Sequence, residues 1–144
     1  MDSSKRAFIK KSCGFCASIV GISLLSPVIS SCSTLKYIEP VFSNGFLQLS
    51  ISDFVENSNL VIVKNKSLEY DVAVVKIAND FYRAFELKCT HQDNALVPTN
   101  SGFHCNLHGS SFGLDGKVKT LPASSNLNEF KTSFASGIIS IKLF

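Results

Sequence analysis

No run of basic residues occurs in this sequence, and that removes the usual electrostatic footprint of a nucleic-acid-binding protein. Cysteine is present in an odd number, five, so a complete disulfide framework is excluded. At 144 residues the chain has no room for a multidomain enzyme, and it contains no internal repeat. From Phe46 onward nothing sustains a helical period over three turns, which excludes a helical bundle. With 45% hydrophobic residues the chain is too apolar to be disordered. What remains is one small folded domain plus a targeting segment. Two figures need explaining: the five cysteines beside three histidines, and a formal net charge of +3.

The charge is explained by the N-terminus. Residues 1–31 hold Lys5, Arg6, Lys10 and Lys11 against Asp2, which is the whole of the +3, and the remainder is formally neutral. An uncharged apolar stretch, Ser12 to Ile29, follows the basic start. That is the layout of an export signal. As a helix the stretch would span about 27 Å, marginal for a bilayer, and Pro27 weakens a transmembrane reading further. Ile29-Ser30-Ser31-Cys32 resembles a bacterial lipobox, which implies cleavage before Cys32 and lipidation of it. Stable anchoring needs more than one acyl chain, and a lipobox cysteine carries more than one. Ser4-Lys5-Arg6-Ala7-Phe8-Ile9-Lys10 resembles a twin-arginine signal with Lys in place of the first Arg. Cys13 and Cys16 form a C-x-x-C inside the segment expected to be removed, and they are assigned no function.

The expected organisation is therefore an export signal over 1–31, a tether over 32–45 and one domain over 46–144. Leu47, Leu49 and Ile51 alternate with polar residues, and Leu60-Val61-Ile62-Val63 is a short buried run. Tyr70 to Ile77 and Phe81 to Leu87 flank Ala78-Asn79-Asp80, while Leu127 to Phe134 and Ile138 to Leu143 flank Ala135-Ser136-Gly137, two hairpin signatures. The segment from about 88 to 123 is rich in Asn, Ser and Gly and reads as one long functional loop on an all-β scaffold.

That loop holds the chemistry. Cys89-Thr90-His91 is followed by Cys105-Asn106-Leu107-His108, each half offering one thiolate and one imidazole. Two matched pairs in a chain with only three histidines are not read as chance. The four donors suit a tetrahedral zinc ion, and they equally suit a [2Fe–2S] cluster with both thiolates on one iron and both imidazoles on the other. His104 neighbours Cys105, but alternation turns it the other way, and it reads as a surface strand residue.

The pattern C-x-H followed by C-x-x-H-G resembles that of the Rieske iron–sulfur proteins. The likeness continues through Gly109-Ser110-Ser111-Phe112, the Asp115-Gly116 turn and a Pro loop at Leu121-Pro122-Ala123. The resemblance implies a small antiparallel β-sandwich or barrel-like base with an inserted cluster-binding subdomain. It also implies one [2Fe–2S] cluster, with Cys89 and Cys105 on the inner iron and His91 and His108 on the outer. Ser110 would donate to a bridging sulfide, Phe112 would stand where some members have a Tyr, and Pro122 would sit on the covering loop. Members from quinol-oxidising complexes join the two ligand loops by a disulfide. The matching positions here are Asn94 and Leu107, so the loops should be held by the cluster and by packing of Leu96, Leu107 and Leu121. Losing the Tyr donor implies an intermediate or low potential within the Rieske range.

The expected function is one-electron transfer by an exported, membrane-tethered lipoprotein. Its partner would be a redox protein or an oxidoreductase complex, and the chain would not be an enzyme by itself. The alternatives are a Rieske subunit of a quinol-oxidising cytochrome complex and a zinc-stabilised lipoprotein domain without redox activity.

Overall fold

The computed structural model describes residues 35–143. The expected leader, with Lys5, Arg6 and the lipidation site Cys32, lies outside these residues. The described part is all-β, with one short 3-10 turn at Ile51–Asp53. No helix among the described residues is long and apolar enough to cross a membrane.

The twelve strands are Lys36–Ile38 (β1), Phe42–Ser43 (β2), Phe46–Ser50 (β3), Leu60–Val63 (β4), Val72–Ala78 (β5), Phe81–Glu86 (β6), Val97–Thr99 (β7), Gly102–His104 (β8), Ser111–Gly113 (β9), Val118–Thr120 (β10), Glu129–Ala135 (β11) and Ile138–Lys142 (β12). They form an eight-stranded sheet in the order β1-β4-β5-β6-β11-β12-β3-β2 and a four-stranded sheet in the order β10-β9-β8-β7. All pairings are antiparallel except β1 on β4.

The large sheet has to curl. Laid flat, eight strands at a spacing of about 4.8 Å would put the outermost two about 34 Å apart. Those two, β1 and β2, are joined by residues 39–41 alone, which reach about 14 Å at full extension. The base is therefore barrel-like, as the resemblance implied.

Both faces of its central strands are buried. Along β4, Leu60 and Ile62 enter one core while Val61 and Val63 enter the other. Along β5, Ala73 and Val75 alternate with Val72 and Val74 in the same way. This explains why Leu60–Val63 reads as a continuous apolar run and not as an alternation. The core inside the curled sheet also takes Leu47, Leu49, Tyr82, Ala84, Ile139 and Ile141. Tyr82 stacks obliquely with Phe54 and Phe134, and its buried hydroxyl has no hydrogen-bond partner. The second core lies between the outer face of β4–β6 and the small sheet.

Both expected hairpins form. Ala78 pairs with Phe81 around Asn79-Asp80, and Ala135 pairs with Ile138 around Ser136-Gly137, where both turn residues have positive φ. Three expectations change. The tether is not bare: β1 extends the sheet beside β4, and β2 pairs with β3 around Asn44-Gly45. Ile51 leaves the alternation because Ser50 caps the 3-10 turn, so its side chain is exposed. The long loop carries the four-stranded sheet, whose strands of three residues are too short to show a period.

Candidate metal centre

Three loops meet at the end of the small subdomain. The first runs from β6 to β7. Lys88 bridges Ala95, the Leu96 N–H donates to the Leu87 carbonyl at 2.9 Å, and the Cys89 N–H donates to the Asn94 carbonyl at 2.8 Å. These bonds pinch residues 89–94 into a tight excursion, further braced by an ion pair of Lys88 with Asp93 at 3.1 Å. The second loop, 105–110, closes the β8–β9 hairpin. The Cys105 N–H donates to the Ser110 carbonyl at 2.8 Å and the Gly109 N–H to the Cys105 carbonyl at 3.0 Å. Gly109 has a φ of +80°, a conformation that few other residues adopt without strain. The third loop, 121–127, follows β10, starts with a cis Leu121–Pro122 bond and carries buried Ala123.

The four donors of the sequence pattern come together on the first two loops. Cys89 and Cys105 are free thiols, 1% and 2% exposed, and the Cys89 side chain is one of the groups that lower the Cys105 thiol. His91 and His108 are exposed, and their rings stand edge to face with centroids 5.0 Å apart. The donors thus form a buried sulfur pair and an exposed imidazole pair. Among the described residues no group of three or more Cys, His, Asp or Glu side chains is arranged to hold a single metal ion. His104 is exposed on β8, turned away from buried Cys105.

The electrostatics favour a thiolate at Cys105. Burial pushes this thiol up, but it is outweighed by hydrogen bonds from the Leu107 N–H, the Cys89 side chain, the His108 N–H and the Asn94 amide. The net displacement is downward, toward the charged form that binds metal.

The loops are tied pairwise by side chains. Asn94 Nδ2 on the first donates to Cys105 Sγ on the second at 3.6 Å. Thr90 Oγ1 on the first donates to the Ser125 carbonyl on the third at 2.6 Å. Ser110 Oγ on the second accepts the Ala123 N–H of the third at 3.0 Å. Ser110 is fully buried, and with its oxygen accepting, its hydroxyl proton is left to donate elsewhere. Phe112 is buried on β9 in the core that includes both cysteines, and Pro122 is exposed. Leu96 packs in that core as expected, but Leu107 and Leu121 are 52% and 72% exposed and hold nothing in place. Leu107 lies at a loop tip whose backbone N–H turns inward to the sulfur, which leaves its side chain in water.

A family model described as the Rieske [2Fe-2S] domain matches residues 49–131, more than half of the chain and all three loops. The chain belongs to the Rieske [2Fe–2S] domain family. Its cofactor is accordingly one [2Fe–2S] cluster, and two sulfur donors beside two imidazoles suit the mixed ligation of that cluster. Solved Rieske structures share the fold. The plasma-membrane Rieske protein PetC3 of the cyanobacterium Synechocystis PCC 6803 is 23% identical, with a TM-score of 0.53 over 65% of this chain and 94% of that one. A chain from the complex of oxygenase and ferredoxin in carbazole 1,9a-dioxygenase is 19% identical, with a TM-score of 0.52 over 70% of this chain and 95% of that one. Naphthalene 1,2-dioxygenase is 22% identical with a TM-score of 0.56, but the match spans only 27% of that chain. No curated protein matches the sequence.

Thr90 and Asn94 are the site residues that the Rieske pattern did not disclose. Thr90 lies between two expected ligands, and Asn94 stands at a position where the disulfide-bearing members have a cysteine.

Proposed function

We propose that this chain is a single-electron carrier, exported and held to a membrane through lipid on Cys32. In this reading Cys89 and Cys105 bind the inner iron, and His91 and His108 bind the outer one. The observation that carries the reading is the split of the four donors into a buried sulfur pair and an exposed imidazole pair. A structural zinc ion would draw all four to one point. When bound, the cluster supplies a reversible one-electron couple.

The protein's own residues do the rest. The buried thiols would hold the cluster and keep water from the sulfur donors. The backbone N–H groups of Leu107 and His108 stabilise negative charge on the Cys105 sulfur. The exposed imidazoles form the edge through which an electron leaves, and Leu107 and Leu121 offer apolar side chains on the two loops joined through Ser110. A surface of this kind suits brief docking of a redox protein or an oxidoreductase complex. With both irons fully ligated no position is open to a substrate, which favours a carrier or redox subunit over an enzyme.

An electron paramagnetic resonance spectrum of the reduced, iron-loaded chain tests the ligand set. Coupling to two histidine nitrogens is expected, lost in His91→Ala and His108→Ala, and a spectrum of thiolate ligation alone overturns the assignment. For the anchor, Cys32→Ser should move the protein from the membrane to the soluble fraction. Replacing Lys5 and Arg6 with Gln should leave unprocessed precursor in the cytoplasm.

A further inference from the structure

Among the described residues, Asn94 is bonded to both candidate cysteine ligands. Its backbone carbonyl accepts the Cys89 N–H at 2.8 Å. Its side-chain nitrogen donates to the Ala95 carbonyl at 3.1 Å and to Cys105 Sγ at 3.6 Å. The Ala95 carbonyl can only accept, so it fixes which end of the Asn94 amide is the nitrogen. The second N–H of that nitrogen then points across the gap between the loops. The Lys88–Ala95 bridge and the Lys88–Asp93 ion pair hold the turn from which Asn94 reaches. Both cysteines are free, so no disulfide joins these two loops.

We infer that Asn94 is a positioning residue that links the two ligand loops non-covalently and tunes the midpoint potential through its amide donor to the Cys105 sulfur. This rests on the reading of Cys105 as a cluster ligand. The backbone N–H groups of Leu107 and His108, which also lower the Cys105 thiol, come with the fold of the loop itself. The Asn94 bond is the contribution from an amide side chain, and it comes from the opposite loop. An N–H donor stabilises a sulfur more as its electron density rises, so it favours the reduced protein over the oxidised one. Removing the donor lowers the potential even if the loops stay in place.

The test uses the full-length chain, reconstituted with iron and sulfide, as wild type, Asn94→Leu and Asn94→Asp. Leu keeps the volume without a donor, and Asp replaces the donor by a negative acceptor. Both loaded variants should keep the histidine-coupled resonance spectrum with a lower midpoint in protein-film voltammetry, Asp the lower of the two. A loaded Asn94→Leu protein with an unchanged or higher midpoint overturns the inference. If neither variant retains a cluster, the wild type decides: with asparagine labelled by ¹⁵N at the side-chain amide, pulsed resonance should detect a coupled ¹⁵N, and its absence overturns the inference. Failure of the ligand assignment looks different, because the wild type would then lack the histidine-coupled spectrum and Cys105→Ser would leave the cluster unaffected.

Discussion

At the residue scale, the polar contacts of the buried side chains decide what each substitution does. Ser110 satisfies the buried Ala123 N–H, so Ser110→Ala leaves that donor unpaired at a cost of about 1–3 kcal/mol. A denaturant titration should show that loss, and the midpoint should fall because a hydroxyl donor goes with it. Phe112→Tyr works in the opposite sense: a phenol at this buried position can donate to a ligand sulfur and should raise the midpoint in protein-film voltammetry. Tyr82 carries a buried hydroxyl without a partner, so Tyr82→Phe should cost nothing in thermal stability and should gain up to about 1 kcal/mol. The four candidate donors were legible in the sequence because two cysteines and two histidines recur at a short spacing that few structures impose. Thr90 and Asn94 were not, since their partners, the Ser125 carbonyl and the Cys105 sulfur, lie on other loops that only the fold brings near.

At the scale of the elements, Arg83 on β6 fastens three parts together. Its guanidinium forms a two-pronged pair with Glu129 on β11, at 2.8 and 2.6 Å, and donates to the Asp115 carbonyl in the β9–β10 turn at 3.0 Å. Hydrogen bonds from Arg83 hold the Glu129 carboxyl below its ordinary value of 4.5. A lowered carboxylate stabilises the fold above its unfolded value, and that contribution is lost as the pH falls through the folded one. The stability difference between wild type and Glu129→Gln should therefore shrink as the pH drops below 4.5 in parallel denaturant titrations. Glu129 is well exposed, which limits the pair to about 1 kcal/mol. In the same turn Gly116 has a φ of +74°, and a Cβ there would lie 2.5 Å from a ring carbon of Phe85. Gly116→Ala should destabilise the chain by about 1–3 kcal/mol, measured by thermal melting, with the small sheet loosening first. The hairpins at 78–80 and 135–137 were legible because strands of five to seven residues flank their turn residues. β1, β2 and the strands of the small sheet were hidden because two or three residues cannot display a period. The Asn44-Gly45 turn was the one signal for β2, and the strand's length of only two residues concealed it.

For the molecule as a whole, β4–β6 form a wall between two cores, and the redox site draws on only one of them. Leu47→Ala, inside the curled sheet, should cost about 2–5 kcal/mol and leave the midpoint and resonance spectrum of the loaded protein unchanged. Leu96→Ala shares a core with Cys89 and Cys105 and should alter both stability and spectrum. Equal spectral effects from the two variants would show that the wall does not separate them. The three loops around the site are joined to one another by hydrogen bonds, and both of their cysteines are free. Such ties form as soon as the chain folds and need no oxidant. The described domain can thus complete its architecture in a reducing compartment, where iron and sulfide are also most easily inserted. For the exported carrier proposed above, this lets folding and metal loading finish before the protein reaches oxidising surroundings.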